Sequence, residues 1–189
     1  MRNVEAIETE VGGISYRSRT EARWAIFFEA LGVDVEYEAH HIRLSDGVGY
    51  LPDFYIPAFK AWFEVKAGND AIVTEEANKA RLLSADQKGH RVWLAIGAPS
   101  AEESNILTLE QWAPGVSIEE ILSTPENRYR FLEDRRDADF YWLQADFVTG
   151  GFRHSFGVGG PGVATDHDRL PVLHGRVLAA YKAAKEKRW

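Results

Sequence analysis

"YLPDFYIPAFKAWFEVKAG", residues 50–68, holds two short runs rich in aromatic and β-branched residues, one on each side of Pro57. Runs of this kind bounded by Pro and Gly predict two strands joined by a turn. Each run carries charge where a buried strand should have none: Asp53 in the first, Glu64 and Lys66 in the second. Side chains alternate across a strand, so Trp62, Glu64 and Lys66 share one face while Phe63, Val65 and Ala67 share the other. If the two strands pair through Pro57, Asp53 converges with Glu64 and Lys66 at one end of a sheet. Two carboxylates supply hard oxygen ligands for Mg²⁺ or Mn²⁺, and an ammonium beside them stabilises charge on a nucleophilic water or on a phosphate. The plainer alternative is a solvated strand face with a cross-strand ion pair, which contributes little.

The flanking segments supply a fold around this pair of strands. "SRTEARWAIFFEAL" (18–31) spaces Trp24, Phe27, Phe28 and Leu31 on one side of a helix, with Gly32 as its stop. "VDVEYEAHHIRL" (33–44) reads as a strand that precedes the two already described, giving a three-strand meander. Helical periodicity returns over 74–88 through Ala77, Ala80 and Leu83, Gly89 ends it, and "RVWLAIG" (91–97) reads as a buried strand. Helix, three strands, helix, strand is an α/β core. Beyond residue 98, "ILTLEQW" (106–112) and "FYWLQADFV" (140–148) read as strands, and the acidic stretch 118–140 as one or two helices. "GGFRHSFGVGGPGVATDHD" (150–168) reads as a mobile loop and 169–189 as a basic terminal helix.

Pro52-Asp53, ten further residues, then Glu64-Val65-Lys66 resembles the PD-(D/E)XK motif of the restriction-endonuclease-like nuclease superfamily. The helix–meander–helix–strand order is similar to that superfamily's common core. "YRSRTEARWAIFFEALGVDVEYE" resembles the start of a phage- and transposon-type subgroup in which a helix-borne Glu, here Glu21, joins the site. The resemblance spans residues 14–97. It implies an α/β fold with a restriction-endonuclease-like core, α-β-β-β-α-β, whose mixed central sheet is flanked by helices, followed by a C-terminal α+β extension. The chain then divides into an N-terminal arm (1–13), a nuclease-like core (14–98) and the extension (99–189).

Under that reading Asp53, Glu64 and Glu21 are metal ligands together with the Val65 carbonyl, and Lys66 orients or activates water. Glu21 has a second reading, since Ser18-Arg19-Thr20-Glu21 is also a capping box. Lys79 is either a basic group offered to the site by the second helix or half of an i,i+4 pair with Glu75. Arg17, Arg19 and Arg23 are candidates for phosphate contact or a solvated face. His40 and His41 are adjacent on a strand, so their rings point to opposite faces and cannot chelate together. His154, His167 and Asp168 lack convincing ligand spacing, and "GVGGPG" lacks the Lys-Ser/Thr of a phosphate-binding loop.

The formal charge of −7 argues against nonspecific coating of nucleic acid, although its distribution is uneven. Residues 98–168 carry five basic against thirteen acidic residues and 169–189 carry six against one, so a basic tail follows an acidic middle. Cysteine is absent, which removes disulfides, thiolate ligands and cysteine nucleophiles at once. No run approaches the roughly 18 apolar residues of a membrane span, and the N-terminus lacks an apolar signal core; a cytoplasmic protein without membrane association is expected. The combined expectation is a Mg²⁺- or Mn²⁺-dependent endonuclease acting on DNA, with a homodimer or a larger DNA-processing complex as its candidate assembly. A nuclease-like fold used as a binding or assembly module, or an RNA-processing nuclease, are the alternatives.

Overall fold

Strand β7 (Ala61–Lys66) lies in the interior of the sheet, and its neighbours on both sides are close in sequence. The computed structural model describes residues 6–68, 75–113, 115–123, 128–134, 140–145, 153–157, 171–173 and 175–189. On one side β7 pairs antiparallel with β6 (Phe54–Ile56), with Phe54 opposite Phe63 and Ile56 opposite Ala61. One 3₁₀ turn, Pro57–Phe59, joins them; Lys60, in the left-handed region at φ 49°, closes it by donating its N–H to the Pro57 carbonyl at 3.1 Å. On the other side β7 pairs parallel with β8 (Arg91–Ile96), reached through helix α2 (Glu75–Asp86). A parallel pair requires such a crossover.

The first strand of the expected meander is divided. Only β3 (Glu36–Tyr37) pairs with β6, and the chain then turns at Glu38, whose φ of 45° is incompatible with a continuing strand. Ile42–Arg43 (β4) and Gly49–Tyr50 (β5) form a separate hairpin. The expected strand 50–57 is likewise split, at Pro52, which has no N–H to give a ladder. With that hairpin set aside, the order remains helix, three antiparallel strands, helix, parallel strand.

Helix α1 (Arg19–Leu31) begins at Ser18, whose hydroxyl accepts the Glu21 N–H, and ends at Gly32 with φ 75°. Trp24, Phe27, Phe28 and Leu31 are fully buried, each a burial worth about 1.5–3 kcal/mol. They meet Phe63 and Phe54 of the sheet, and the Trp24 and Phe63 ring centres lie 4.8 Å apart. Two small strands, Thr9–Val11 (β1) and Ile14–Tyr16 (β2), pair as a hairpin before the helix, so the 13/14 boundary falls within its turn.

The sheet continues past residue 98. Next to β8 lie β9 (Ile106–Thr108), β10 (Arg128–Asp134), β11 (Phe140–Ala145) and β12 (Arg153–Gly157), while β13 (Pro171–Val172) pairs with the end of β10. Among the described residues the result is a nine-stranded mixed sheet. The described residues of 118–140 include a five-residue helix, α3 (Ile118–Leu122), and then strand β10. Helix α3 ends at its cap Ser123, and Tyr129 and Phe131 fall on a strand's period of two. Of the glycine-rich 150–168, residues 153–157 are strand, and the rest lies outside the described residues, His167 and Asp168 included.

Helix α4 (Gly175–Glu186) packs beside α1: Phe27 and Tyr181 ring centres are 4.7 Å apart, and the Tyr181 hydroxyl accepts the Phe131 N–H at 2.9 Å. The C-terminal half thus completes the core over α1. The opposite face is covered by α2 and α3, with Ala77, Ala80, Leu83, Ile118 and Ile121 over Trp62, Val92, Leu94 and Leu107. Buried Arg81 ties that layer to the following loop through the carbonyls of Val116 and Ala113, at 3.1 and 2.5 Å. The architecture is mixed α/β, a mixed sheet flanked by helices on both faces. Among the described residues no helix is long and apolar enough to cross a membrane.

Candidate functional site

Asp53 and Glu64 are each only 1% exposed. Strand parity places Trp62 with the α2 layer and Ala61, Phe63 and Val65 with the α1 layer, as alternation requires. Asp53 lies just before β6 and reaches across to β7, where the Val65 N–H donates to its Oδ2 at 2.7 Å. Its Oδ1 accepts from Arg17 Nη2 at 2.6 Å. Glu64 Oε1 pairs with Lys66 Nζ at 2.6 Å, and Glu64 Oε2 accepts from the Tyr50 hydroxyl at 2.6 Å. Two buried carboxylates therefore share one strand junction, each held by one cation and one neutral donor.

Glu21 comes in from α1 as a third, nearly buried carboxylate. Its two oxygens accept from the Ser18 hydroxyl and the Tyr37 hydroxyl, both at 2.7 Å, while the Ser18 oxygen accepts the Glu21 N–H at 3.2 Å. The Ser18–Glu21 bonds are those of a helix-capping pair, and the Glu21 charge is also close enough to raise the pKa of Asp53. Tyr37 also accepts the Arg17 N–H at 3.0 Å, and Arg17 Nε pairs with Glu38 at 2.6 Å. Arg17, Tyr37, Glu21 and Asp53 thus form one connected network across β3, α1 and β6.

The electrostatics follow from this burial. Asp53 is pushed well above the usual carboxylate range by desolvation, then by Glu64 and Glu21, against the opposing pull of Lys66 and the Val65 N–H. Burial raises Glu64 also, with Lys66 and Tyr50 opposing it. Tyr50 is raised by burial and by Glu64, and Tyr37 by burial and its bond to Glu21. Burial pulls Arg17 down, but Asp53 and Glu38 more than offset that and hold it protonated.

The other expected contributors are dispersed. Lys79 pairs with Glu75 at 2.7 Å along α2, the i,i+4 arrangement. Arg23 donates to the carbonyls of Ala184 and Lys185 at 3.2 and 3.4 Å, so it caps α4, whose final carbonyls lack helical partners. Arg19 is exposed at the start of α1. Val65 takes part through its N–H. His40 contacts the Glu36 carboxylate and packs edge-on against Tyr55 and Trp62, and the His41 ring lies where a Cβ on Gly49 would fall. Tyr50 and Tyr37 are the residues that sequence reasoning missed. Tyr50 opens the quoted stretch three positions before Asp53, a proximity that offered a signal; nothing in its own run marked Tyr37.

Among the described residues no three His, Asp or Glu side chains form a metal-binding group. The donor chemistry nevertheless suits a hard dication: Asp53 and Glu64 are buried carboxylates, and each offers about four lone-pair sites while giving two to protein donors. Compared with protein-family models, curated proteins and solved structures, the chain matches none.

Proposed function

We propose that the protein is a metal-dependent phosphodiesterase with a PD-(D/E)XK site in a restriction-endonuclease-like core, and that it cleaves DNA. The observation that carries this reading is the joint burial of Asp53 and Glu64 with Lys66 Nζ 2.6 Å from Glu64. Charges this dry are costly unless they have a task, and ordinary packing would favour apolar residues there. The helix, meander, helix, strand order around them supports the same reading.

Asp53 and Glu64 are the residues that would hold Mg²⁺ or Mn²⁺, with Glu21 and the Val65 carbonyl beside them. The ion supplies positive charge for a phosphate and a lower pKa for water. Lys66, nearly buried and fixed on Glu64, is placed to stabilise an attacking hydroxide or the negative charge growing on the phosphate. Tyr50 fixes the second oxygen of Glu64, and the Val65 N–H fixes Asp53. Attack of water on phosphorus breaks the bond to the 3′ oxygen, leaving a 5′ phosphate and a 3′ hydroxyl.

A second reading has its own support: all four oxygens of Asp53 and Glu64 already have protein donors, as a purely structural polar cluster would. On that reading the chain is a binding or assembly module. Supercoiled, linear, branched and single-stranded DNA, and RNA, incubated with Mg²⁺, Mn²⁺ or EDTA, separate the two. Cleavage that needs the cation and falls roughly a thousandfold in Asp53→Ala and Lys66→Ala is expected. No cleavage of any substrate, or variants as active as the parent, sinks the catalytic reading. RNA cut in preference to DNA would keep the chemistry and change the substrate.

A further inference from the structure

The two cations on the carboxylate pair differ in how firmly they are held. The Lys66 side chain is 14% exposed and Arg17's is 55% exposed, although its partner Asp53 is almost fully buried. The Arg17 guanidinium is thus the solvent-side partner of a buried carboxylate. Its backbone is fixed by the bond from its N–H to Tyr37, and its Nε pairs with Glu38, a second acidic group near the surface. Releasing Arg17 alone would leave the buried Asp53 charge without its cation, a cost that a divalent cation on the same carboxylate removes. A guanidinium fork matches phosphate oxygens in a bidentate manner. Arg19, exposed two residues later, adds positive charge at the same entrance to α1.

We infer that Arg17 is a two-position residue coupling cation loading to phosphate binding: it neutralises Asp53 in the cation-free protein and turns to a substrate phosphate when a divalent cation takes that carboxylate. The inference rests on the phosphodiesterase reading. A cation and a guanidinium compete for Asp53 Oδ1, so anything that draws Arg17 outward strengthens cation binding. Because coupling is reciprocal, the cation strengthens phosphate binding by the same factor.

Calorimetric titration of Ca²⁺ into the full chain, alone and with a short DNA duplex, tests this without reference to turnover. Arg17→Ala should bind Ca²⁺ about tenfold more tightly than the parent when no DNA is present, within the usual span of coupling factors. Arg17→Gln, which keeps most of the side-chain length without the charge, should move affinity in the same direction, and it carries the test if Arg17→Ala does not fold. The duplex should tighten Ca²⁺ binding to the parent protein and leave Arg17→Ala nearly unchanged. Equal or weaker Ca²⁺ binding by the folded variants overturns the inference alone and makes Arg17 a simple prop for Asp53. No Ca²⁺ binding by the parent or either variant overturns it together with the metal reading.

Discussion

Phe63 and Glu64 are consecutive on β7, and neither exposes more than 1% of its surface, yet they are buried for opposite reasons. Phe63 faces α1, where its ring meets Trp24 at 4.8 Å and Phe28 at 5.2 Å. Burial there is favourable in itself and needs no particular partner beyond close packing. Glu64 faces the α2 layer, and its burial is tolerable only because Lys66 and Tyr50 each reach one oxygen. Taking a carboxylate out of water costs several kcal/mol, which the pairing offsets only with good geometry. One strand therefore supplies stability from one face and holds a costly charged group on the other.

The sharpest way to break that comparison is Phe63→Ala. The cavity would open among Trp24, Phe28 and Phe54, and large-to-small changes of this kind cost about 3–5 kcal/mol. Urea unfolding monitored by tryptophan fluorescence should show the loss as a lower midpoint. A cost under about 1 kcal/mol would mean that the α1 face is loosely packed and that the contrast between the two faces is false.

What the sequence disclosed about these faces follows the reach of each signal. Helix α1 was legible because the capping serine, apolar spacing and terminal glycine all lie within fifteen residues, from Ser18 to Gly32. The shared face of Glu64 and Lys66 was legible because strand parity is local. Arg17 on Asp53 was not: the two are 36 positions apart, and only the joint placement of α1 and β6 brings them together. The partners of Arg23 were hidden for the same reason, since they are carbonyls of α4, more than 160 residues away. Strand 33–44 failed at Glu38, where tertiary context imposed a left-handed residue that no glycine announced. That break releases the β4–β5 hairpin, which delivers Tyr50 to Glu64.

Tyr50→Phe probes the polar face while leaving the apolar bulk in place. The ring still fills its place beside Trp62 and Leu44, but Glu64 Oε2 loses its donor. Supporting hydrogen bonds to a metal-ligating carboxylate typically matter by 10–100-fold in affinity or rate. A decrease of about tenfold in cation affinity, with little change in urea midpoint, is expected. If affinity is unchanged and stability falls instead, Tyr50 belongs to the packing and the division between faces is drawn in the wrong place.

The smallest effect and the most direct statement about the polar face concerns pH. Asp53 is raised above its ordinary value by burial, Glu64 and Glu21, so the folded protein holds this proton more tightly than the unfolded chain does. Where the folded state binds more protons, stability falls as pH rises. The penalty is absent below the ordinary carboxylate value of 3.8, grows as pH climbs through the interval up to the folded value, and is complete above it. Asp53→Asn removes the titration and keeps one acceptor, its amide oxygen, for the Val65 N–H, while the half-exposed Arg17 retains Glu38. In chelator it should melt higher than the parent at pH 8, by a few degrees or about 1 kcal/mol for a chain of this length. The advantage should disappear by pH 4, where the parent's Asp53 is itself neutral. Phe63→Ala, whose cost involves no proton, should be destabilised to the same degree at both pH values. A variant that melts lower than the parent at pH 8 would show that Arg17 and Val65 compensate the Asp53 charge fully, and that the polar face stabilises the fold as the apolar one does.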